Sequence, residues 1–162
     1  MVGAASLRER TLAALEAVTD PEIPVLTIAD LGILRDVSVS GDTVEVTITP
    51  TYSGCPAMNM ITLEIETALA RAGIKARILT SLSPAWTTDW LTEAARGKLA
   101  AFGIAPPEHT ASRRALFGEA RPVCPRCGSA DTERISEFGS TACKSLHRCR
   151  ACREPFDAFK CH

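Results

Sequence analysis

The sequence predicts an α+β fold, in which a small three-stranded sheet with helices packed on it is followed by a C-terminal zinc ribbon. The first hundred residues alternate between helix-like and strand-like apolar patterns, in the order helix, strand, strand, helix, strand, helix. Six of the seven cysteines follow residue 120, and Cys55 stands alone. We therefore expect an α+β domain over residues 1–105, a linker over 106–122 and a ribbon over 123–162.

The first helix is expected to begin at a capping box. Ser6 occupies the N-cap position, and Glu9 can reach back to its backbone amide. An apolar stripe at helical spacing continues to about Thr19. The segment Asp20-Pro21-Glu22-Ile23-Pro24 ends the helix, because proline lacks an amide donor and disfavours a helical residue before it.

The middle of the domain alternates as strands do. Residues 33–39 and 43–49 predict a hairpin with one buried face. Pro56 suits the first position of a second helix, for which Gly73 is the expected C-cap. Residues 76–82 alternate as a third strand.

A last helix is expected from about Trp90 to Gly103, with Leu91, Ala94, Ala95 and Leu99 on its apolar side. Pro106-Pro107 then begins a segment without periodicity that runs to about Pro122. Within this linker, Ala115-Leu116-Phe117 is a candidate docking contact.

The tail carries two knuckles of the form C-x2-C, namely Cys124 with Cys127 and Cys149 with Cys152. Two intervening residues let the chain turn so that both sulfurs face one metal ion, and a second knuckle completes a tetrahedral thiolate site. A tail of this size cannot hold itself together by burial alone, so we expect a structural zinc site. Iron in a rubredoxin-like site would show the same spacing.

Three further residues are open as auxiliary ligands. Cys143 could bind metal, bridge, or simply be a small buried residue. The final pair, Cys161 and His162, offers a thiol beside an imidazole, which could bind metal or dock on a partner.

Cys55 directly precedes Pro56 and is therefore expected at the N-cap of the second helix. The positive end of the helix dipole would stabilise a thiolate there, as a nucleophile or a ligand for a soft metal; the alternative is a buried cysteine in a tight turn. Asp20, Glu22 and Asp30 could meet this loop if the sheet folds back, or serve only as caps and turn formers.

Composition narrows the classes of protein. Hydrophobic residues make up 46% and charged residues 23%, so a packed core is expected rather than disorder. The net charge of −1 provides no overall attraction for nucleic acid or membranes. The charged N-terminus lacks a signal peptide's apolar stretch, and no run approaches the ~18 apolar residues of a membrane span, so we expect a cytoplasmic protein.

Several motifs together resemble a known family. They are Asp20-Pro21-Glu22-Ile23-Pro24, Ile28-Ala29-Asp30-Leu31-Gly32-Ile33-Leu34, Thr49-Pro50-Thr51 and Gly54-Cys55-Pro56. Over about residues 8–85 they resemble the SufT-like domain of iron–sulfur assembly factors. That resemblance implies a transient iron or iron–sulfur cluster at Cys55, with Asp20, Glu22 and Asp30 orienting the loop or lending oxygen ligands.

The whole chain is similar to the PaaD (PaaJ) family of phenylacetyl-CoA epoxidase subunits, which join such a domain to a zinc ribbon. The narrower match rests on Trp86-Thr87-Thr88-Asp89-Trp90, the Cys124 knuckle, Ser140-Thr141-Ala142-Cys143-Lys144-Ser145-Leu146 and the ending Phe156-Asp157-Ala158-Phe159-Lys160-Cys161-His162. It implies an accessory role in aerobic phenylacetate catabolism, with the di-iron oxygenase, the flavin and iron–sulfur reductase and iron–sulfur assembly proteins as partners.

The chain lacks the sequence features of the epoxidase's own catalysts. It has no Glu-x-x-His pair for two irons, no dinucleotide fingerprint and no ferredoxin cysteine spacing, so we expect a non-catalytic subunit or maturation factor. Two rival functions remain. Arg148, Arg150 and Arg153 near the second knuckle suit a nucleic-acid-binding ribbon, and Cys55 with Cys143 or Cys161 as resolving thiol suits a redox enzyme.

Overall fold

A computed structural model describes residues 5–109 and 121–160. The chain divides into two compact units, residues 1–86 and 87–162. Most of the expected linker, with Ala115-Leu116-Phe117, lies outside the described residues, as do Cys161 and His162. Among the described helices, none is long and apolar enough to cross a bilayer.

Helix α1 spans Leu7–Leu15 and begins with the predicted capping box. The Ser6 hydroxyl accepts from the Glu9 amide at 3.2 Å, and the Ser6 amide donates to the Glu9 carboxylate at 2.7 Å. The expectation that this helix continues to about Thr19 is wrong. Thr19 instead forms an isolated antiparallel bridge with Thr27, and this pairing requires extended backbone.

The first unit contains a three-stranded sheet in the order β1-β2-β3. Its elements are β1 (Leu34–Ser40), β2 (Thr43–Ile48), helix α2 (Ala57–Arg71) and β3 (Ala76–Thr80). Strands β1 and β2 form the predicted antiparallel hairpin, and β3 pairs parallel to β2 after the crossover through α2. The predicted elements are confirmed to within two residues at their ends, and β1 runs one residue past the expected Val39. The C-cap of α2 is Ala72 and not the expected Gly73, which follows it with φ 68°.

Alternation along β2 places Val44, Val46 and Ile48 in the core, where each is fully buried. Buried side chains of α1 and α2 belong to the same core, among them Leu15, Ile61 and Ile65. Because the sheet buries one face, its register is determined by this pattern. The α+β class with helices packed on a small sheet is confirmed.

The second unit opens with a 3-10 turn, Thr88–Trp90, so the last helix does not begin at Trp90. Helix α3 spans Glu93–Phe102, with Thr92 as N-cap and Gly103 as the predicted left-handed C-cap at φ 90°. Four strands follow, β4 (Ile104–Ala105), β5 (Thr132–Ser136), β6 (Lys144–Cys149) and β7 (Pro155–Phe159), in the order β4-β7-β6-β5.

The division between the units differs from the expected domain limits of 1–105, 106–122 and 123–162. The chain divides after Trp86, so α3 and β4 belong with the ribbon. The physical reason is a long-range pairing, because Ile104–Ala105 runs parallel to β7, with Ala105 opposite Ala158. A two-residue strand has no periodicity of its own, so local patterns could not assign it.

Candidate functional site

Four cysteines converge beside the end of β6. Cys124 and Cys127 lie before β5, and Cys149 and Cys152 lie at the turn between β6 and β7. Their sulfur atoms all lie within 4.8 Å of one another, with Cys124 and Cys152 at 3.8 Å and Cys127 and Cys149 at 3.5 Å. Tetrahedral zinc with Zn–S bonds of about 2.3 Å separates its sulfurs by about 3.8 Å. These four residues therefore fit a tetrahedral zinc site.

Both knuckles turn in the same way after their second cysteine. Gly128 follows Cys127 with φ 74°, and Arg153 follows Cys152 with φ 66°. Arg153 is the only non-glycine residue with positive φ in the described part of the chain. Glycine tolerates this left-handed conformation, and arginine adopts it at a cost. The sequence marks the first turn through Gly128, and nothing local marks the second.

The two thiols of the second knuckle, Cys149 and Cys152, have pKa values shifted in opposite directions. The backbone N–H of Cys152 donates to the Cys149 sulfur at 3.5 Å and lowers the pKa of Cys149 to about 7. At Cys152 the Glu154 amide lowers the pKa, but desolvation and the neighbouring thiols raise it to about 12. Four adjacent sulfurs cannot all ionise without a compensating cation, so the shifts suit a divalent metal ligated by all four.

The arginines next to the second knuckle are largely paired. The Glu133 carboxylate accepts a hydrogen bond from Arg148 Nε at 2.9 Å and another from Arg150 Nη2 at 2.9 Å. These bonds, Arg150 first, lower the pKa of Glu133. Arg150 also lies 3.7 Å from Asp131. These carboxylates offset the positive charge of Arg148 and Arg150, which weakens the case for a nucleic-acid-binding ribbon.

Cys143 lies outside the four-cysteine cluster. It is buried immediately before β6, whereas Cys149 ends that strand six residues later, about 20 Å along an extended chain. The Thr141 hydroxyl contacts its sulfur at 3.0 Å. Cys161 and His162, the other auxiliary candidates, lie outside the described residues.

Cys55 lies in the first unit, in the loop between β2 and α2. The N-cap of α2 is Pro56, so Cys55 is one residue further out than expected. Gly54 before it has φ 82°, a conformation that favours glycine. The Cys55 amide donates to the Tyr52 carbonyl at 3.2 Å, and the side chain is partly exposed. A partly exposed thiol at the start of a helix can act as a ligand.

Two of the three candidate carboxylates hold the preceding loop in place. Asp20 is buried, and its Oδ1 accepts from the amides of Glu22 at 2.7 Å and Ile23 at 2.9 Å. Asp30 Oδ2 accepts from the Thr27 amide at 3.1 Å, while the Thr27 hydroxyl accepts from the Asp30 amide at 3.0 Å. These bonds correspond to the turn-forming role, and Glu22 is half-buried.

An open pocket of about 180 Å³ adjoins the Cys55 loop within the first unit. Residues 49–53 line it together with Leu82, Ala85 and Trp86. Trp86 is buried and donates from its indole to the Leu31 carbonyl at 2.8 Å, which joins the segment carrying Asp30 to this pocket. A tryptophan in the sequence could be identified as an anchor, but its partner 55 residues away could not.

Comparison with known families divides the chain in a similar way. Residues 8–77 match the family described as iron–sulfur cluster assembly protein, and residues 108–160 match the PaaD zinc beta ribbon domain. The four clustered cysteines all lie in the second match. The predicted combination of an iron–sulfur assembly domain and a C-terminal zinc ribbon is confirmed.

Individual relatives agree with this assignment. A solved Bacillus anthracis domain of unknown function, DUF59, covers 57% of this chain and 90% of its own, with 26% identity and a TM-score of 0.53. The Bacillus subtilis Fe-S protein maturation auxiliary factor YitW is 35% identical over 56% of this chain and 91% of its own. An Escherichia coli K12 protein, provisionally named as one of the subunits of 1,2-phenylacetyl-CoA epoxidase, is 51% identical over 92% of this chain and 90% of its own. This chain therefore belongs to the PaaD family of phenylacetyl-CoA epoxidase subunits.

Proposed function

We propose that the chain is an accessory factor of phenylacetyl-CoA epoxidase in aerobic phenylacetate catabolism. It assists assembly of an iron or iron–sulfur centre in the oxygenase or reductase, in contact with the iron–sulfur assembly machinery. The observation that carries the proposal is the presence of a partly exposed Cys55 in a unit related to Fe-S maturation factors, within a chain 51% identical to a PaaD-type relative.

Cys55 is the proposed transient ligand of the iron or cluster, which is cargo rather than a resident cofactor. The residue is partly exposed, and its backbone N–H donates to the Tyr52 carbonyl just before α2. A thiolate is a soft ligand that suits iron–sulfur chemistry. Asp20 and Asp30 hold the segment of residues 20–30 through the amide hydrogen bonds described above. In this proposal Asp20, Glu22 and Asp30 orient the Cys55 loop or lend oxygen ligands.

The ribbon has a different role in this proposal. Cys124, Cys127, Cys149 and Cys152 would hold one zinc ion, and the ion would supply a structural crosslink between the two knuckles. Four protein ligands leave no open coordination position, so the site has no catalytic chemistry. The second unit then serves as a rigid module for docking on the epoxidase subunits.

Metal analysis of anaerobically purified protein tests the proposal. Iron and zinc are counted per chain in the wild type, in Cys55→Ser and in Cys143→Ser, a control that removes a thiol outside both sites. Each protein is then incubated with apo oxygenase or apo reductase, and iron transfer is followed. We expect one zinc in all three proteins, and iron that binds and transfers only when Cys55 is present.

The outcomes separate the two halves of the proposal. Equal iron loading of the partner by wild type and Cys55→Ser would refute the carrier role of Cys55. Zinc alone, with no iron bound under any condition, would leave a structural adaptor of the epoxidase. Iron in place of zinc at the four cysteines would correct the identity of the ribbon metal without affecting Cys55.

A further inference from the structure

A second pocket lies in the second unit, over the strands β6 and β7. Its volume is about 280 Å³, and its described lining includes none of the four clustered cysteines. Typical small-molecule sites begin at about 300 Å³, so this pocket suits a compact ligand. No step of the proposed iron transfer uses it.

The walls of this pocket are held by specific hydrogen bonds. The guanidinium of Arg96, a buried residue, donates to the Pro107 carbonyl and to the Thr88 carbonyl. At a third proline of the lining, the Thr132 hydroxyl donates to the Pro122 carbonyl at 2.8 Å. Proline has a restricted backbone, so these anchored segments form stiff apolar walls.

The floor is formed by two buried polar side chains and their apolar neighbours. Ser145 and His147 are each 7% exposed, and the Ser145 hydroxyl lies 2.9 Å from His147 Nε2. The imidazole stacks on Phe156 at 5.7 Å between centroids, and its Nδ1 has no hydrogen-bond partner among the described residues. A buried polar atom without a partner is uncommon in folded proteins and is a recurrent feature of functional sites.

The rim carries more positive than negative charge, because three basic side chains and two carboxylates line the pocket. Arg134 is 3.5 Å from Glu137, which offsets its charge. Arg121 and Lys160 also line the pocket, and neither forms an ion pair within the described part of the chain. The Lys160 ammonium lies 4.1 Å from the centre of the Phe138 ring, which orients it without cancelling its charge.

We propose that this pocket binds a small organic anion, a carboxylate carried on a planar apolar body. Arg121 and Lys160 hold the carboxylate through charge-assisted hydrogen bonds, which are stronger than neutral ones. The planar body lies between the proline walls and against His147 and Phe159, which line the same pocket. The inference goes beyond the proposed function and does not depend on it.

Binding is measured by amide NMR on the full-length, zinc-loaded chain. The probes are phenylacetate, its neutral analogue phenylacetamide, inorganic phosphate and coenzyme A. We expect saturable shifts at the amides of Ser145 and His147 with phenylacetate, and at least tenfold weaker binding of phenylacetamide. Added salt weakens the phenylacetate affinity because it screens the exposed rim charges.

Two charge reversals locate the site. Arg121→Glu and Lys160→Glu should each weaken phenylacetate binding at least tenfold, since each opposes the carboxylate. The control Arg77→Glu reverses an exposed charge on β3 in the other unit and should leave the affinity unchanged. Undisturbed amide spectra of the free variants establish that they are folded.

Three results would overturn the inference. The first is the absence of saturable shifts at the pocket amides below about 10 mM phenylacetate. The second is equal affinity for phenylacetate and phenylacetamide, or affinity that both charge reversals leave intact. The third is a preference for inorganic phosphate or coenzyme A over phenylacetate, which would assign the pocket to phosphate groups instead.

Discussion

Metal removal should unfold the ribbon and leave the first unit folded. Among the described residues, eleven of the twelve largest fully buried side chains belong to residues 1–86, and the twelfth is Leu99 in α3. None lies in residues 121–160. The ribbon's own buried cluster contains Ala105, Cys124, Cys149, Phe156 and Ala158, and two of these five are proposed metal ligands.

The size of the stability loss expected on metal removal follows from this difference in burial. Structural zinc in small zinc-finger peptides contributes about 10–16 kcal/mol at pH 7. The net stability of a whole domain is only about 5–15 kcal/mol. Since burial in residues 121–160 cannot replace the metal's contribution, a strong chelator at pH 7 should abolish hydrogen-exchange protection of the β5, β6 and β7 amides. The β1, β2 and β3 amides should keep theirs.

Two substitutions sharpen this test. Cys149→Ser should lose metal and ribbon protection together, because it removes one of the four proposed ligands. Cys143→Ser should keep both, because that thiol lies outside the cluster. Metal-free protein that retains full protection in β5 to β7 would refute the reasoning, since the ribbon would then be stable through its own packing.

The structure also determines the direction in which substitutions at two other places should change stability. A Cβ at Gly139 would overlap the Asp157 carboxylate, which would have to move away from the Ser140 hydroxyl that donates to it at 2.6 Å. Gly139→Ala should therefore lower the free energy of unfolding by about 1–3 kcal/mol, because a hydrogen bond to a charged group is lost. Gly97→Ala, with open space in α3, should raise it by about 0.5–1 kcal/mol. Urea unfolding checks both, and equal effects would contradict the contact. Hydrogen bonds from Ser6 lower the pKa of Glu9, so its contribution is present above the unfolded pKa of about 4.3 and is lost as pH falls through the folded pKa. The melting temperature of Glu9→Gln should therefore lie below that of wild type at pH 7, and the gap should close below pH ~4; a constant gap would show that the charge of Glu9 is irrelevant.

Local chemistry explains most of what could be predicted. The capping box at Ser6 depends on residues three apart, and the hairpin depends on alternation along β1 and β2. Gly103 ends α3 in the left-handed conformation that glycine favours. The two C-x2-C knuckles similarly bring four sulfurs within 4.8 Å. Each of these features involves few residues, and its geometry is determined by their backbone and side-chain chemistry.

Two of the incorrect or missing predictions involve pairing between separated segments. Helix α1 stops at Leu15 because Thr19 pairs with Thr27. The third is a local shift of one residue, since Pro56 and not Cys55 occupies the N-cap of α2. Strand β4 exists only through its pairing with β7. Local propensity cannot show such pairings, because their free energy comes from a partner far away in the sequence.

The sequence by itself therefore determined the fold class, the two cysteine knuckles and the candidate thiol Cys55. Only the tertiary structure decided that α3 and β4 belong with the ribbon, that Cys143 stands apart from the cluster, and that Arg121 and Lys160 line one pocket. Spacing along a chain specifies geometry over a few residues, whereas pockets, partners and unit boundaries form when distant segments pack against one another.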